Sequence, residues 1–576
     1  MCTAILGSCS KNLSRISAHK PSVVLIDSAS LRAAAITTRP VKLDTLTNQL
    51  HNRISISAGD SYYMGRINAK TAGFYRSNGF ETKWLHDLAP GPLYKTAMDI
   101  LKNAGQYGLN PYDYDVAAIE QSVQNLYNGA ASPDVVAALD IHISEMYFLF
   151  TTHLTEGRIR SVANGKNIWK RDVREGSGND VVMLTRAENG EQLLAGLDGI
   201  QPANEQYLKL QQALAYYRSL DQQNQIHLQA ISVKSAVKPG ELNSAVPLIR
   251  NKLALTDLKP YPVHVDSLTG IMDSLRYDPV LVEGVKMFQR RHGLEPDGVI
   301  GEKTLKFMNQ SFREKADIIA LNMERLRWEP ANHGENYISV NVPEYKMRVF
   351  DQEKMTLEMK VIVGASNKPT PIFSEQLEHI VFSPTWTVPV SIIREEIIPH
   401  LRTNPDYYAS KNFIFYKNDV EIDPALENWN DENINPYQYR VVQNPGSDNS
   451  LGSVKFMMPN NLSVYLHDTP NHRLFTKDYR ALSHGCVRLD EPAKFAEYLL
   501  RDQKGWTADR IVKAMNDSTP STIHLKKHYQ VHIEYRTAWV DENNMINFRE
   551  DIYGHDKAQL RQLLPVVNTS TASAGM

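Results

Sequence analysis

Cysteine is scarce in this chain of 576 residues, which has three, and two of them, Cys2 and Cys9, lie within the first nine positions. The third, Cys486, has no obvious partner, so no disulfide is predicted. A basic excess is also lacking, because 63 Lys and Arg residues stand against 65 Asp and Glu, a net charge of -2. Without such an excess the chain cannot neutralise a run of phosphates, which excludes a nucleic-acid partner.

Long hydrophobic runs are absent too, since no apolar stretch approaches the ~18 residues of a membrane span. The hydrophobic share of 42% and the charged share of 22% are ordinary for a globular protein. A single core stops growing near ~250 to 300 residues, so a chain of this length is expected to form about three domains.

The first residues have the order of a bacterial lipoprotein cleavage site, with Leu6, Gly7 and Ser8 before Cys9. The basic segment and the apolar stretch of a secretory signal are missing before it. We therefore expect either a truncated export signal, with Cys9 as a lipidation candidate, or a disordered leader over residues 1–55.

The region from about 60 to 240 is predicted to be a helical scaffold, because apolar residues recur at helical spacing, as at Leu93, Ala97, Ile100 and Leu101. Its aromatic residues are more typical of a core than of cofactor contacts.

A small module is predicted at 245–312, where helical segments are separated by turns and the Pro-Asp-Gly run at 296–298 is a strong turn signal. It resembles the three-helix peptidoglycan-binding module of many cell-wall enzymes, and a bundle that binds nothing is the alternative. The matching residues are Val285, Phe288, Gln289, Gly293, Leu294, Asp297, Gly298, Gly301, Thr304 and Leu305. A connecting helix is predicted at 313–332.

Residues 335–562 are rich in Val, Ile, Tyr and Phe and are broken at Gly, Pro and Asn, which predicts strands. One strand pair crosses the turn at Asn460 and Asn461, directly before the cysteine region. The polar stretch at about 400–450 is predicted to be loop-like, a lid insertion or a disordered one. A final strand is expected to join the sheet, and residues 563–576 are predicted to form a flexible tail.

The surroundings of Cys486 favour a catalytic thiol over a buried structural one. A thiol at its ordinary pKa is only slightly ionised at neutral pH, so a nucleophilic cysteine needs a base or positive charge nearby. The sequence supplies His467, His484 and Arg488 close by. Gly485 lets the backbone turn, so that successive amides can point at one oxyanion.

The His-Asp-Thr-Pro run at 467–470 and the Ser-His-Gly-Cys-Val-Arg-Leu run at 483–489 resemble the signature of L,D-transpeptidases with a YkuD-type catalytic domain. The segments at 451–460, 464–470 and 532–541 are similar to the large YcbB-like branch, which joins this domain to a helical scaffold and a peptidoglycan-binding module. The resemblance covers roughly residues 65–560. It implies a multidomain α+β fold with a mainly β catalytic domain, a YkuD-like β-sandwich.

The resemblance implies that Cys486 is the nucleophile and His467 the base, with the Asp468 main-chain carbonyl orienting the imidazole. His484 and Gly485 are expected to frame the nucleophile, and the amides around Gly485 and Cys486 to form the oxyanion hole.

Four residues are predicted as substrate contacts, and each keeps a structural alternative. Arg488 suits a substrate carboxylate, although the widest family pattern has Asn there and a structural salt bridge is the alternative. Ser483 is either such a contact, a hydrogen-bonder that fixes the loop, or a turn residue. Trp386 and Tyr439 are predicted to line the groove rather than pack, as are Tyr408 and Tyr437.

The implied function is a peptidoglycan L,D-transpeptidase that forms 3→3 cross-links through a cysteine thioester, without cofactor or metal. The alternatives are an L,D-carboxypeptidase, a lipoprotein-to-peptidoglycan transferase and a non-catalytic wall-binding protein. The expected partners are peptidoglycan stem peptides, with a tetrapeptide donor, and carbapenem-type β-lactams as covalent inhibitors. The expected location is the periplasm or envelope of a Gram-negative bacterium, with the N-terminus as a candidate membrane anchor.

Overall fold

The computed structural model of the protein describes residues 45–57, 68–86, 89–130, 132–159, 168–170, 179–223, 229–257, 259–265, 272–330 and 333–564. The predicted lipidation site at Cys9, most of the predicted leader and the predicted tail beyond residue 564 lie outside this part. The predicted domain boundaries stay predictions, and the elements below follow the structure.

Helices dominate the N-terminal region, as the spacing of its apolar residues predicts. They are α1 Thr45–Ser57, α2 Ala69–Ser77, α3 Tyr94–Lys102, α4 Val116–Asn125, α5 Pro133–Glu156, α6 Asn179–Arg186, α7 Gly190–Ile200 and α8 Glu205–Gln223. Short 3-10 turns at Ala104–Tyr107 and Pro111–Tyr114, a π turn at Leu126–Ala130, and strands β1 Leu85–His86 and β2 Ala89–Pro90 complete the region.

Helix α5 holds the helical region together through the buried carboxylate of Asp140. That carboxylate accepts the backbone amides of Lys83, Trp84 and Leu85 at 2.9 Å and the hydroxyl of Tyr75 at 2.5 Å. By length and composition alone α5 could cross a membrane, and among the described residues it is the one helix of which this is true. Most of it is buried, so it packs as the central helix of this core.

The predicted small module contains α9 Val246–Asp257, α10 Pro279–Arg291 and α11 Glu302–Met308, with the short strands β3 His264–Val265 and β4 Met272–Asp273. The Gln289 side chain donates to the Asp297 carboxylate at 2.7 Å and to the Val299 carbonyl at 3.0 Å. It also accepts the amide of Gly298, whose φ is +75°, at 2.9 Å. These matching residues therefore fix the turn between two helices.

Helix α12, Phe312–Leu326, joins the module to the β-rich region and begins with a capping box of Ser311 and Glu314. It shares one buried apolar cluster with α8, with the hairpin of β18 Ala538–Val540 and β19 Ile546–Phe548, and with the C-terminal helix. The connecting helix is thus the element against which the C-terminal end of the β-rich region packs.

The β-rich region is built on a nine-stranded sheet, in the order β15-β7-β16-β14-β13-β8-β17-β5-β6. Because β6 also pairs with β7, this sheet closes on itself. Its strands are β5 Asn336–Asn341, β6 Lys346–Asp351, β7 Lys354–Gly364, β8 Phe373–Phe382, β13 Val454–Met457, β14 Leu466–His467, β15 Ala481–Ser483, β16 Val487–Leu489 and β17 Ser521–Glu534.

Helices α15 Pro492–Leu500, α16 Ala508–Met515 and α17 His555–Leu563 follow the Cys486 region, and 3-10 turns lie at Val342–Glu344 and His472–Thr476. Side chains of α15 and α16 pack into the same buried cluster as the sheet. The pairing of β13 with β14 confirms the strands predicted around Asn460 and Asn461, and β17 confirms that the C-terminal strand joins the sheet.

The polar stretch at about 400–450 is folded, so the prediction of a loop is wrong. It belongs to an insertion, residues 386–443, with its own sheet in the order β11-β10-β12-β9. Its apolar residues, including Phe415, Trp429, Tyr439 and Val441, form a separate small core. Its elements are β9 Trp386–Thr387, α13 Val390–Ile392, a π turn at Ile393–Ile397, α14 Ile398–Leu401, β10 Phe413–Lys417, β11 Val420–Ile422, β12 Tyr439–Gln443 and 3-10 turns at Ala409–Lys411, Pro424–Leu426 and Pro436–Gln438.

Candidate active site

Two adjacent strands bring the predicted catalytic residues together. Strand β14 pairs in parallel with β16, and His467 lies opposite Arg488 in that register. Side chains alternate along a strand, so Tyr465 lies on the same face as His467, and Cys486 on the same face as Arg488. The strand register therefore gathers a thiol, an imidazole, a guanidinium and a phenol at one place.

The end of β14 is fixed by the residue after His467. The Asp468 carboxylate accepts the amides of Ser453 at 2.8 Å and Thr469 at 2.6 Å, and the Asp468 amide donates to the Val454 carbonyl at 2.9 Å. At Gly452 the φ is +63°, and a Cβ would lie 2.4 Å from the Asp468 carboxyl group. Glycine is required there, and the corner that carries His467 is rigid.

The loop before Cys486 is held by the Ser483 hydroxyl, which donates to the Cys486 carbonyl at 2.6 Å and accepts the Gly485 amide at 3.1 Å. Ser483 is 3% exposed, so the structure supports the loop-fixing interpretation and not the substrate contact. Gly485 has a φ of +120°, which confirms that glycine is needed for the turn. The Gly485 amide already donates to the Ser483 hydroxyl. The Cys486 amide donates no hydrogen bond within the described ranges, so it is the one free to bind an oxyanion.

His467 is 4% exposed and is held in its neutral form. Burial, followed by the positive charge of Arg488, lowers its pKa to about 3, against a smaller opposite effect of the Asp468 and Leu451 backbone carbonyls. His467 Nδ1 is buried and has no hydrogen-bond partner among the described residues, so the orienting role of the Asp468 carbonyl stays a prediction. A neutral imidazole can accept a proton, so the state of His467 suits a base.

The Cys486 thiol is the free thiol in the described part of the chain, and it is half-buried. Burial raises its pKa, while Tyr465 and the Arg488 guanidinium act in the opposite direction. The thiol donates to the Ser463 carbonyl at 3.7 Å, and the hydroxyl of Tyr465 lies close enough to the sulfur to favour the thiolate. Sequence reasoning missed Tyr465, although its position two residues before His467 on a strand places both on one face.

The Arg488 guanidinium makes no ion pair and no hydrogen bond with any described residue; its Nε is buried, and the residue as a whole is half-buried. The alternative of a structural salt bridge therefore finds no partner in the described part of the protein. A partly buried guanidinium without an anion loses hydration that no partner replaces. The site thus presents an unpaired positive charge next to the thiol.

The insertion reaches the motif through Glu396, whose carboxylate pairs with His484 Nε2. Lys368 Nζ lies 3.0 Å from Glu396 and 3.1 Å from Glu395. The prediction that His484 frames the nucleophile is corrected in one respect. Its side chain is 37% exposed and pairs with Glu396 of the insertion.

The aromatic residues predicted to line the groove divide three ways. Trp386 packs 6.2 Å from Phe413 and acts on the pKa of Tyr465, so its contact with substrate stays a prediction. Tyr439 is 4% exposed in the core of the insertion, with its ring 5.1 Å from Trp429, so its prediction as a substrate contact is wrong. Tyr408 packs 5.1 Å from Phe413, and Tyr437 is exposed.

Residues 335–558 match the family model of the L,D-transpeptidase catalytic domain, YkuD. The chain carries an L,D-transpeptidase catalytic domain. Residues 69–214 match a scaffold domain, and residues 253–308 match the "Putative peptidoglycan binding domain". A mainly β L,D-transpeptidase domain is thus combined with a helical N-terminal region and a peptidoglycan-binding domain, as predicted.

A curated protein of Haemophilus influenzae named "Putative L,D-transpeptidase" is 37% identical over 241 residues, which are 42% of this chain and 48% of that protein. The chain thus spans about half the length of this relative.

Two solved structures are also similar, both at 12% identity. One is an L,D-transpeptidase from Mycobacterium smegmatis, with 35% of this chain and 58% of that chain covered and a TM-score of 0.18. The other is the Ldtfm-avibactam carbamoyl enzyme, with 36% and 51% covered and a TM-score of 0.16. Scores this low support no comparison of overall arrangement.

Proposed function

We propose that this chain is a peptidoglycan L,D-transpeptidase that makes 3→3 cross-links through a thioester on Cys486. The observation that carries the proposal is the half-buried, unpaired Arg488 guanidinium beside the thiol. The donor stem ends in a D-amino acid with a free carboxylate, and a guanidinium binds a carboxylate through two parallel hydrogen bonds. Such binding pairs the half-buried charge and places the donor next to the sulfur.

In the first half-reaction the sulfur of Cys486 attacks the carbonyl of the third stem residue. The thiol proton passes to His467, which is neutral in the resting site, and the carbon–sulfur bond forms. The Cys486 amide is available to stabilise the oxyanion. His467 then gives its proton to the departing nitrogen, the carbon–nitrogen bond breaks and the terminal D-amino acid leaves.

In the second half-reaction an amine of a neighbouring stem attacks the thioester carbonyl. The new carbon–nitrogen bond forms, the carbon–sulfur bond breaks, and the proton lost by the amine returns through His467 to the sulfur. The Tyr465 hydroxyl and the Arg488 charge both favour the thiolate that leaves. The same side chains thus act in both directions of proton transfer.

The test is mass analysis of muropeptides after incubation of the full chain with tetrapeptide-containing peptidoglycan. We expect 3→3 linked dimers with the protein and none with Cys486→Ala. Tripeptides without dimers indicate an L,D-carboxypeptidase, and attachment to a lipoprotein amine indicates the third alternative. Absence of every product, from protein that is folded by thermal melting, contradicts the proposal and leaves a wall-binding protein.

Covalent capture by carbapenem-type β-lactams is part of the same proposal, because their strained carbonyl resembles the acyl donor. Intact-protein mass spectrometry is expected to show one adduct per chain, absent from Cys486→Ala. An adduct on a serine contradicts the thioester mechanism.

The peptidoglycan-binding domain is proposed to hold the polymer near Cys486, since a second weak contact raises the local concentration of stem peptides. Deletion of residues 245–312 with a short linker then lowers turnover on intact sacculi and leaves β-lactam acylation unchanged. Because α12 packs next to this module, thermal melting must show that the variant folds. An unchanged rate on sacculi makes the module structural.

We also propose that the protein acts in the periplasm, because its substrate lies outside the cytoplasm. Cell fractionation checks this location, and native protein found only in the cytosol contradicts a role in wall modification. Fatty-acid labelling with and without Cys9→Ala tests the lipid anchor.

A further inference from the structure

A second cluster of reactive side chains lies between the connecting helix and the catalytic sheet. Glu329 follows the end of α12, His333 precedes β5, and Glu534 is the last residue of β17. One ligand atom from each lies within 4.8 Å of the others. All three side chains are largely buried, with exposures of 17%, 11% and 5%.

The distances in this cluster fit a metal site and are longer than those of most hydrogen bonds. His333 Nε2 lies 3.5 Å from Glu329 Oε2 and 3.4 Å from Glu534 Oε1. Hydrogen bonds between such atoms measure ~2.7 to 3.2 Å. Two ligands at ~2.0 to 2.1 Å from a tetrahedral metal lie about 3.3 to 3.5 Å apart. His333 Nε2 and Glu534 Oε1 are buried and make no hydrogen bond within the described residues.

The groups around the cluster orient its carboxylates and leave it short of positive charge. Arg536 Nη2 donates to Glu329 Oε2 at 2.7 Å and lies 3.0 Å from Glu534 Oε1. The Ser339 hydroxyl donates to Glu534 Oε2 at 2.8 Å. Outer groups of this kind fix the ligands of metal sites. Two carboxylates against one guanidinium leave one negative charge, which either a proton on His333 or a metal ion can offset.

A cavity of about 30 Å³ adjoins the three side chains and is large enough for water. His532, which is 3% exposed, lines it, and its Nε2 makes no hydrogen bond among the described residues while its Nδ1 bonds to the Ser374 hydroxyl at 2.8 Å. A buried nitrogen without a partner, on a residue that lines this cavity, is an independent sign of an occupant. Water in this cavity can complete a tetrahedral site.

We propose that Glu329, His333 and Glu534 bind one divalent transition-metal ion of the zinc class, with water from the cavity as the fourth ligand. Imidazole and carboxylate ligands suit such ions. The ion joins the segment after α12 to the last residue of β17, so its role is to fix the connecting helix to the catalytic sheet. This site is separate from the Cys486 chemistry and does not depend on the proposed function.

The test is a zinc titration of the full chain by calorimetry, after alkylation with iodoacetamide so that cysteines cannot bind the metal. We expect one ion per chain. Glu329→Gln and His333→Gln each remove a ligand and are expected to weaken binding at least ~10-fold, since loss of an outer partner alone costs that much. The matched controls are Glu335→Gln, an exposed carboxylate nearby, and His379→Gln, a histidine on β8 outside the cluster. Both controls are expected to bind zinc as the parent does.

Thermal melting guards against misfolded variants. Zinc raises the melting temperature of a protein that binds it in the folded state, so the increase is expected in the parent and controls and is absent from both ligand variants. Binding that persists in both ligand variants overturns the proposal. The proposal is also overturned if the parent does not bind one zinc ion per chain. In that case a proton on His333 supplies the positive charge that offsets the second carboxylate.

Discussion

The two sides of the active site are built differently. On one side, His467 and Arg488 lie on paired strands of a closed sheet, Cys486 directly precedes one of these strands, and a rigid corner fixes the histidine. On the other side, Glu396 approaches from an insertion with its own small core and meets an exposed His484. The difference teaches that reacting groups are held by buried strand pairing, whereas the opposite wall is held by charges that water weakens.

The largest expected effect is on the sheet side, at the nucleophile. Cys486→Ala is expected to abolish cross-linking, and Cys486→Ser to retain almost none, because a hydroxyl is far less ionised than a thiol. Muropeptide analysis measures both. Full activity of the alanine variant removes the basis for placing the chemistry on the sheet.

The next effect is at His467, whose replacement by glutamine is expected to lower kcat by ~100-fold or more, the usual loss for a general base. His379→Gln, a change on the same sheet away from the site, serves as the control and is expected to leave kcat unchanged. A loss in His467→Gln that appears in KM with kcat preserved contradicts the assignment of a base.

Arg488→Met tests the unpaired charge. Loss of a charged hydrogen-bonded contact costs ~1.5 to 3 kcal/mol, or about 10- to 100-fold in kcat/KM for a donor with a free carboxylate. For a donor with an amidated carboxyl group, the parent and Arg488→Met are expected to have the same kcat/KM. The exposed Arg473 supplies the control Arg473→Met. If both variants lose kcat/KM equally, the loss comes from the change in net charge and not from a contact between Arg488 and the donor carboxylate.

The pH dependence of alkylation examines whether thiol and imidazole are neutral at rest. Burial raises the pKa of Cys486 above that of an ordinary thiol, and the pKa of His467 is about 3. The thiolate fraction then rises about tenfold per pH unit from pH 7 towards the thiol pKa. The rate of iodoacetamide modification of the Cys486 peptide, followed by mass spectrometry, is expected to rise in parallel. A rate that does not change with pH over this range indicates that Cys486 and His467 already form a thiolate–imidazolium ion pair.

The smallest effect is expected on the insertion side. Exposed ion pairs contribute ~0.2 to 1 kcal/mol, so Glu396→Gln is expected to raise KM for peptidoglycan by up to about fivefold without changing alkylation of Cys486. Glu395→Gln removes a contact with Lys368 and leaves the His484 pair intact. If Glu396→Gln lowers activity as much as His467→Gln, the two sides are not distinct.

The sheet side was predicted well from the sequence, because its features depend on residues that are close together along the chain. The content of Val, Ile, Tyr and Phe, broken at Gly, Pro and Asn, predicted the strands, and the motif placed His467 at a strand end and Gly485 in a turn. Tyr465 could have been predicted from the alternation of side chains along a strand. The register that sets His467 opposite Arg488 could not, because it depends on pairing between strands with an intervening turn and strand.

The insertion side was predicted poorly, and the reasons are physical. Its core residues are dispersed among Asn, Asp and Glu, so the segment lacks the periodicity that signals strands. Tyr439 could be assigned to a groove or a core only once the sheet of β9 to β12 was known. The pair of Glu396 and His484 joins residues 88 positions apart, and no local pattern reports such a contact.

The closed sheet also sets the timing of folding. Strand β5 lies in parallel beside β17, with Tyr337 paired to Gln530. During synthesis at ~5 to 20 residues per second, roughly 10 to 40 seconds pass between the two residues. Contacts so distant along the chain form late. Cys486 is therefore synthesised before the strand that completes its sheet, and a nascent chain that ends before β17 carries the thiol without the closed sheet around it.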